Sequence, residues 1–561
     1  MAASWKMLLL LSAFSGVTVY GSELPDAGRL LKENTSTSSL LPKAALPPLQ
    51  KIESKQQIKT GPKVTVSGFN FVGNTLFSNT ELMTLMSGSI GKEMSLGELN
   101  FAAAAITNRY REKGFFLASV FFPPQSIKPG MPVIVEVVEG ILEKIEIITI
   151  PEKNRTPLRI LQSYTRHVPL NKPVKDQDLT SMVLETNELP NISSRIMLEP
   201  GSKPGTTRAT LEVNEGKPLS FSLDMDNYGN DATGNNRIGG TLDLYSPFHR
   251  GDQFTLHLQT STTGDMQNIK MNYRIPVTSY STKFGFDYNL VNYKLGGSFK
   301  ALNAEGNAQD LSLSVTQGLF RQRNLILNAT VAGEGRLLDD RIGSPLSRNQ
   351  RHTTALQLSL SGMQMDTILE GGMTSFSFGV VAGNLGISDK EALSIDQSVT
   401  GLHTDGRYSK VNVSLSRTQN IYHGFSLYAG TYGQWTDKNL NSSEQLSLGG
   451  PGAVRALHTG EFYSDKGLVT TAELRYLFGT IGELPGRLQT FAFVDNGYSV
   501  LHNNPIPEAG TNTAIVTGAG LGIKWSDTNN STLLASCGWK ISGDNTANTG
   551  TIIFVQAEKR F

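Results

Sequence analysis

From residue 217 to residue 561 the chain repeats one pattern, in which apolar and small polar side chains alternate for about ten residues between turns. In the first such segment Phe221, Leu223 and Met225 fall on one face, and serine and aspartate residues fall on the other. Successive side chains of a strand point to opposite faces of a sheet, so this period of two predicts β-strands.

Sixteen segments carry this alternation, and an even number of strands brings both ends of a barrel to the same side. They begin near residues 219, 236, 253, 267, 282, 308, 324, 353, 371, 405, 424, 467, 488, 513, 531 and 550. The longest predicted connection runs from near Thr436 to near Gly467, and loops of that length are usually functional or disordered.

Two kinds of all-β domain produce such alternation. A soluble sandwich turns its apolar face inward, whereas a membrane barrel turns it to lipid. The repeat is too long for one ordinary sandwich, and its polar positions carry Ser, Thr, Asn, Gln and Gly more often than Lys and Glu. Together with the export signal described next, these features favour a membrane barrel.

The first residues have the features of a secretory signal peptide, predicted to span residues 1–21. Lys6 precedes the apolar run 7–14, and Val19-Tyr-Gly21 supplies small residues suited to cleavage. The alternative is a single anchor helix, for which the apolar run is short. The one cysteine, Cys537, cannot form an internal disulfide, which is ordinary for bacterial envelope proteins held together by closed sheets.

A short helix and a linker are predicted to follow the signal peptide. Residues 22–40 contain a helical stretch at 25–34, with Pro25 near its first turn. Residues 41–62 contain Pro42, Pro47 and Pro48 among Lys and Gln residues, which is the composition of a linker. We expect the helix to plug the barrel at rest, because this linker is long enough to reach the lumen.

Residues 63–140 and 141–216 form two similar predicted units. The first is predicted as strand 64–71, helices 79–87 and 96–113, and strands 117–122 and 132–138. The second is predicted as strand 142–150, helices 158–164 and 176–187, and strands 194–199 and 207–214. Each unit ends in Glu-Gly, at Glu139-Gly140 and Glu215-Gly216. The shared order predicts a tandem pair of small α+β modules.

Short motifs in these units resemble those of a known family. The first unit contains Gly68-Phe-Asn-Phe-Val-Gly-Asn-Thr75 and resembles a polypeptide-transport-associated (POTRA) domain. The second contains Leu184-Glu-Thr-Asn-Glu-Leu-Pro190 and resembles the second POTRA domain of two-partner secretion (TpsB) transporters. These form the ShlB/FhaC/CdiB-like haemolysin secretion/activation family of the Omp85 superfamily. The resemblance implies an all-β, 16-stranded transmembrane β-barrel at 217–561 with two N-terminal α+β POTRA domains. It also implies a location in the bacterial outer membrane, with the POTRA domains in the periplasm.

The longest loop and the thirteenth strand carry two further motifs of this superfamily. The loop segment 448–457 is similar to the loop-six tip Val-Arg-Gly-Tyr, which corresponds here to Val454, Arg455, Ala456 and Leu457. Ala456 and Leu457 replace the glycine and the aromatic residue, which leaves the packing of the tip open. The strand segment Phe493-Val-Asp-Asn-Gly497 matches the motif Phe-x-Asp-x-Gly on which the tip docks.

Period two places Phe493, Asp495 and Gly497 on one face of that strand. An arginine inside a barrel needs an acceptor, and Asp495 can form a bidentate bond with Arg455 while Phe493 stacks on the guanidinium. Gly497 would leave room for the loop. The residues alone favour Arg455 on a solvated loop and Asp495 at a strand end, because Arg and Asp are common in loops. The resemblance implies the docked pair.

The last strand ends at Phe561, and its alternation resembles a barrel-assembly signal. There is no His-Glu-x-x-His, Walker or Gly-x-Ser-x-Gly motif and no close histidine pair, so we expect no enzyme, catalytic residue, cofactor or metal site. The glycine-rich segment 518–522 lies in an alternating strand and is interpreted as close backbone packing. A formal net charge of +1 gives no sign of a nucleic-acid partner.

The resemblance implies a transporter that secretes one large exoprotein to the cell surface by two-partner, type Vb, secretion. The cargo would be a TpsA-type adhesin, haemolysin or contact-dependent inhibition toxin, bound through its N-terminal secretion domain. Outer-membrane lipids, the barrel-assembly machinery and periplasmic chaperones are further expected partners. The alternative is an insertase of the same superfamily, although two POTRA modules and a proline-rich linker favour secretion. A passive porin would leave the periplasmic modules unexplained.

Overall fold

The computed structural model describes residues 24–35, 63–128, 130–150, 152, 154–343, 346–479, 486–505, 511–527, 530–543 and 550–561. The predicted signal peptide (1–21) and linker (41–62) lie outside these residues. The first described helix, α1, spans Ala27–Thr35. Among the described residues, none of the helices has the length and apolar character needed to cross a membrane.

Residues 63–140 fold into a small α+β module around one apolar core. Its elements are β1 (Lys63–Thr65), β2 (Phe69–Val72), α2 (Asn79–Met86), β3 (Glu93–Ser95), α3 (Leu96–Glu112), β4 (Ser119–Phe121) and β5 (Val133–Val138). β5 lies between β2 and β4 in the sheet. The predicted single strand 64–71 is wrong, because β1 pairs separately with β3, a strand too short to show a periodicity.

Residues 141–216 repeat this arrangement. Their elements are β6 (Ile141–Thr149), α4 (Leu158–Thr165), α5 (Asp176–Asn187), β7 (Ile192–Pro200) and β8 (Thr206–Glu215). The last strand, β8, lies between β6 and β7, as β5 does in the first module. Both β6 and β7 therefore have one edge that pairs with no other strand of this sheet.

The two modules share a carboxylate at the end of the last strand. Glu139 accepts hydrogen bonds from the backbone N–H groups at 75 and 76, at 2.7 and 2.8 Å. Glu215 accepts them from the backbone at 155 and 156, at 2.8 and 3.0 Å. Burial acts to raise the pKa of Glu139, but these hydrogen bonds outweigh it and hold the pKa below its usual value. The Glu-Gly ends thus fix the loop after β2 in the first module and the loop after β6 in the second.

Sixteen antiparallel strands close into a barrel, which confirms the predicted fold class. The strands are β9 (Leu219–Asp226), β10 (Arg237–Tyr245), β11 (Gln253–Ser261), β12 (Met266–Thr278), β13 (Thr282–Lys294), β14 (Ala304–Arg321), β15 (Leu325–Gly343), β16 (Leu346–Asp366), β17 (Gly372–Ile387), β18 (Gly406–Tyr422), β19 (Phe425–Thr436), β22 (Lys466–Leu477), β23 (Arg487–Val500), β24 (Thr513–Ser526), β25 (Ser531–Gly543) and β26 (Ile552–Arg560). A short helix, α6 (Lys390–Asp396), follows β17, and two short strands, β20 (Leu446–Ser447) and β21 (Tyr463–Ser464), pair within the loop after β19.

Side chains alternate across the barrel wall. On β9, Phe221, Leu223 and Met225 are exposed on the outside, whereas Ser222 and Asp226 are buried on the lumen side. The outside therefore presents apolar side chains to lipid, and the lumen is lined by polar ones. A sandwich would bury the apolar face instead.

The longest strands extend beyond the membrane. β15 and β16 have 19 and 21 residues, whereas about 9–11 residues suffice to cross a bilayer. The expected strand length of about ten residues is therefore wrong for this side of the barrel. Near the tip of β15, Asp339 accepts hydrogen bonds of 2.8 and 2.6 Å from Arg348. This ion pair is exposed, as expected for a part of the strand that lies in water. This extension explains why β14 and β16 begin before the predicted residues 308 and 353.

The second module contacts the barrel at the start of β13 and at the end of β14. Ser181 of α5 donates a hydrogen bond of 2.8 Å to the carbonyl oxygen of Arg321, at the end of β14. Glu188 forms an ion pair of 2.9 Å with Lys283 and a second one with Arg321. These contacts place the second module at the end of the barrel where β9 begins and β26 ends.

Candidate functional site

The loop between β19 and β22, residues 437–465, folds back into the barrel and is called loop six below. Most of its side chains are buried. Leu448, Val454 and Leu457 are fully enclosed and pack against Val469 and Val516 of the barrel wall. The tip of the loop is therefore part of a packed apolar cluster and is not exposed to solvent.

Arg455 at this tip binds the barrel wall through its whole guanidinium group. Its Nε lies 2.8 Å from Asp495 Oδ2 and its Nη2 lies 2.7 Å from Asp495 Oδ1, a bidentate pair. The backbone N–H of Arg455 donates to the same carboxylate at 3.0 Å. Asp495 is fully buried and accepts a further bond of 2.9 Å from Thr471. The structure thus brings together the two charged residues that the motifs single out.

The faces of the guanidinium are covered by aromatic rings. The Cζ of Arg455 lies 3.5 Å from the ring centroid of Phe493 and 5.9 Å from that of Phe491. A second carboxylate, Glu473 of β22, accepts a bond of 2.6 Å from Nη1. Sequence reasoning missed Glu473, although its position on the inward face of a predicted strand gave a usable signal.

Glycine residues of the wall make room for the loop. A Cβ at Gly497 would lie 2.9 Å from a methyl carbon of Val454. Within the segment 518–522, a Cβ at Gly518 would overlap Ala456, and a Cβ at Gly520 would overlap the ring of Phe493. The interpretation of this segment as close backbone packing is confirmed. Ala456, in place of the family glycine, fits because Gly518 faces it.

Helix α1 also lies in the lumen, against the inner face of β13, β14 and β15. Its buried residues Ala27, Leu30 and Leu31 pack on an apolar patch of the wall that includes Val291 and Leu338. These contacts lie near the end of the barrel opposite the modules. This apolar patch of the lumen wall gives the helix a defined binding position.

The N-terminal end of α1 is held by charged groups of the wall. Both Nη atoms of Arg351 lie 3.1 Å from Asp26 Oδ2. Arg351 also pairs with Asp340, which accepts a bond of 2.8 Å from the backbone N–H of Ala27. Asp340 thus satisfies one free N–H group at the positive end of the helix.

The other face of α1 rests on loop six. A Cβ at Gly28 would lie 2.5 Å from Ser442 Oγ and 2.6 Å from the backbone nitrogen of Ser443, so only glycine permits this approach. Glu33 accepts hydrogen bonds from the hydroxyl of Tyr463 and, at 3.3 Å, from Asn230. The helix is therefore wedged between the wall and the loop.

The carboxylates of the loop and of the helix differ in their surroundings. Burial acts to raise the pKa of Glu444 in loop six, but Arg336 and Lys410 outweigh it and hold the pKa at about 2. Burial raises the pKa of Glu33, whose hydrogen-bond donors Tyr463 and Asn230 are neutral. Glu444 is thus an ion-pair partner, whereas Glu33 accepts its hydrogen bonds from neutral groups and is also attracted by Arg237 and Arg29.

Phe561 lies at the seam where the last strand meets the first. Its backbone N–H donates a bond of 2.8 Å to Phe221, and the two rings stack with centroids 6.1 Å apart. In the described part of the chain, no group of three or more His, Cys, Asp or Glu side chains is arranged to hold a metal ion.

Comparisons with known proteins agree with this architecture. The model of the haemolysin secretion/activation protein family ShlB/FhaC/HecB matches residues 205–525, and the ShlB-type POTRA model matches residues 64–140. The chain is 25% identical over 452 residues to the heme/hemopexin transporter protein HuxB of Haemophilus influenzae, which covers 80% of this chain and 78% of HuxB. It is 22% identical over 496 residues to the outer membrane transporter CdiB of Dickeya dadantii, covering 86% and 84%.

Solved structures share the fold. CdiB from Escherichia coli matches with a TM-score of 0.72 over 92% of this chain and 94% of that chain, at 20% identity. BamA from Haemophilus ducreyi, lacking POTRA domains 1–3, matches with a TM-score of 0.52 at 14% identity, over 89% of this chain and 100% of that chain.

The secretion family model alone covers more than half of the chain. The match extends over 78% of HuxB and 84% of CdiB from Dickeya dadantii, both of which are transporters. These findings favour secretion over the insertase alternative. The chain belongs to the ShlB/FhaC/HecB haemolysin secretion/activation family, the two-partner secretion transporters of the Omp85 superfamily, with its barrel in the bacterial outer membrane and its POTRA domains in the periplasm.

Proposed function

We propose that this transporter captures one large TpsA-type exoprotein in the periplasm, through the exoprotein's N-terminal secretion domain, and passes it unfolded to the cell surface. The open strand edges of the second POTRA module carry this proposal. Ile148 on β6 and Met197 on β7 are apolar and exposed, 51% and 39%, beside edges that no strand of their sheet covers. An extended segment of the exoprotein can add to such an edge as a further strand.

The exoprotein then needs a continuous polar conduit. The lumen supplies polar walls, but α1 and loop six both occupy it. We propose that α1 is the resting plug and leaves during transport, while Arg455, Asp495, Phe493 and Glu473 keep loop six in place. The chain carries no nucleotide-binding motif, and we propose that folding of the exoprotein outside the cell drives net movement.

Assembly requires further partners. We propose that Phe561, at the seam of the barrel, belongs to a signal read by the barrel-assembly machinery, and that periplasmic chaperones deliver the unfolded chain. The proposed exoprotein is an adhesin, a haemolysin or a contact-dependent inhibition toxin, classes that share the secretion domain.

Photo-crosslinking in intact cells tests the capture step. A photoreactive amino acid replaces Ile148, Met197 or, as a control, Phe101, an 80% exposed residue on α3 of the first module. The full-length transporter is produced together with its exoprotein. We expect crosslinks to the exoprotein from Ile148 or Met197 and none above background from Phe101. Equal yields from all three positions, or secretion that does not require the transporter, would contradict the proposal.

A further inference from the structure

A groove of about 450 Å³ lies where the second POTRA module meets the barrel, outside the lumen and away from the edge of β7. One wall is helix α4, which contributes Arg159, Ile160 and Ser163 from one helical face. The other wall is the end of β12 and the turn after it, residues 275–279, and Arg250 of the preceding turn closes the groove. This volume lies within the range of sites for small ligands, about 300–1,000 Å³.

The barrel wall of the groove faces lipid. On β12, Lys270 and Arg274 point into the lumen, where they contact α1 and Asp287. Period two therefore turns Ile275 outward, and Val277, which lies at an irregularity in the pairing of β12 with β13, is 61% exposed. The position next to the periplasmic turns places these side chains at the inner boundary of the membrane.

An aromatic pair marks the same level. Phe248, in the turn that carries Arg250, is exposed and packs edge-on against Tyr273 with ring centroids 5.9 Å apart. Aromatic girdles of outer-membrane barrels lie at the interface between acyl chains and headgroups. The groove therefore opens at the height of the phospholipid headgroups of the periplasmic leaflet.

The groove has an excess of positive charge. In the described part of the chain, the guanidinium groups of Arg159 and Arg250 form no ion pair, unlike Arg321 at the same interface, which pairs with Glu188. The nearby carboxylate of Asp252 is fully buried and accepts bonds from the backbone of Phe248 and Arg250 and from the hydroxyl of Tyr273. This carboxylate is therefore enclosed and is not exposed to the groove.

We propose that this groove binds an anionic phospholipid of the periplasmic leaflet. Arg159 and Arg250 contact the phosphate groups, which guanidinium groups bind in bidentate fashion. Ile160 and Val277 contact the first carbon atoms of the acyl chains. Basic pockets at a membrane boundary bind anionic headgroups in this way. A lipid seated here touches both the module and the barrel, and it thereby stabilises the angle between them.

Native mass spectrometry of the full-length transporter in detergent tests the site. Phosphatidylglycerol and phosphatidylcholine with the same acyl chains are added in equal amounts. We expect the protein to retain phosphatidylglycerol about 25-fold more than phosphatidylcholine, since each of the two surface arginines adds about fivefold for an anionic lipid. Arg159→Gln with Arg250→Gln should bring this ratio close to one. The control, Arg111→Gln with Lys113→Gln on the first module, removes the same charge and should keep the preference.

Two further measurements distinguish binding of a whole lipid from binding of a phosphate group alone. Ile160→Ser with Val277→Ser should lower the retained phosphatidylglycerol while leaving the arginines in place, and soluble glycerol phosphate at millimolar concentration should not displace the lipid. Heat-modifiable migration on gels checks that each variant is folded. An unchanged preference in the double arginine variant, or full displacement by glycerol phosphate, would overturn the proposal.

Discussion

Loop six and helix α1 both occupy the lumen, but different contacts hold them there. The tip of loop six is anchored by one arginine, whose guanidinium binds Asp495 and Glu473 and stacks on Phe493. The polar contacts of α1 are spread over β15, β16, the loop between β9 and β10, and loop six itself. The anchor of loop six is compact, whereas that of α1 is dispersed.

The difference shows which of the two can leave the lumen at lower cost. If loop six moved out, Asp495 would remain fully buried without its charged partner. If α1 moved out, Arg351 would still pair with Asp340 and Arg237 with Asp226, and Glu33 would leave the neutral donors Tyr463 and Asn230 behind. The cost of an unpaired buried charge exceeds that of an exposed neutral donor. We therefore expect α1 to be the movable element and loop six the fixed one.

The largest effect is expected from breaking the anchor of loop six. Arg455→Ala leaves Asp495 and Glu473 buried without this guanidinium, and Asp495→Ala leaves Arg455 with Glu473 as its one remaining carboxylate partner in this cluster; breaking a buried pair in this way costs about 3–5 kcal/mol. Because both substitutions remove the same interaction, the double variant should impair secretion about as much as either single one. Secretion of the exoprotein into the medium is the measurement, and heat-modifiable migration on gels shows whether the barrel assembles.

Arg348→Ala is the matched control for this experiment, since Arg348 pairs with Asp339 near the water-exposed tip of β15. It should leave secretion unchanged, because exposed ion pairs contribute about 0–1 kcal/mol. Strictly additive defects, or normal secretion by Arg455→Ala, would show that loop six is not held by this pair.

Much of this anchor could be foreseen in the sequence. The alternation of side chains defined the sixteen strands, and most predicted starts lie within one or two residues of those observed, such as 253, 282 and 513. The motifs around Arg455 and Asp495 named the charged pair. Local patterns were sufficient here because alternation and motif spacing are properties of a single segment.

The contacts that depend on distant segments were not foreseeable in the same way. Glu473 belongs to the Arg455 cluster only because β22 pairs with β23 in a register that places Glu473 opposite Phe493. The seat of α1 joins residues more than 300 positions apart, as Ala27 and Asp340 are. No local periodicity encodes such pairings. The strand β3 could not be predicted either, because its three residues are too few to show an alternation.

The second largest effect is expected from removing α1. Deletion of residues 22–40 takes away the helix but leaves Arg455 and Asp495 in place. Single-channel conductance in planar bilayers should rise several-fold, because a helix of 9 residues no longer fills the lumen. Secretion should continue, since the modules and the anchor of loop six are intact. Unchanged conductance would show that α1 does not close the pore.

A smaller effect is expected from loosening the contact between the two elements. Gly28→Val places side-chain atoms where Ser442 and Ser443 already lie, so α1 must shift away from loop six. Channel openings should become more frequent than in the wild type but less frequent than in the deletion. Gly333→Val is the control, because a Cβ at Gly333 on β15 meets nothing within 4 Å. Equal opening frequencies for both variants would mean that α1 does not rest on loop six in the membrane.

The smallest effect is expected at Glu33, and Glu444 supplies the contrast. In Glu33→Gln the amide oxygen still accepts from the hydroxyl of Tyr463, and burial already disfavours the charge that is lost, so the change should cost at most about 1 kcal/mol. Glu444→Gln instead removes the carboxylate that pairs with Lys410 at 2.6 Å and with Arg336, which costs about 3 kcal/mol or more. Opening frequency in planar bilayers should therefore barely change for Glu33→Gln and rise clearly for Glu444→Gln. The reverse order would show that α1, and not loop six, carries the stronger electrostatic anchor.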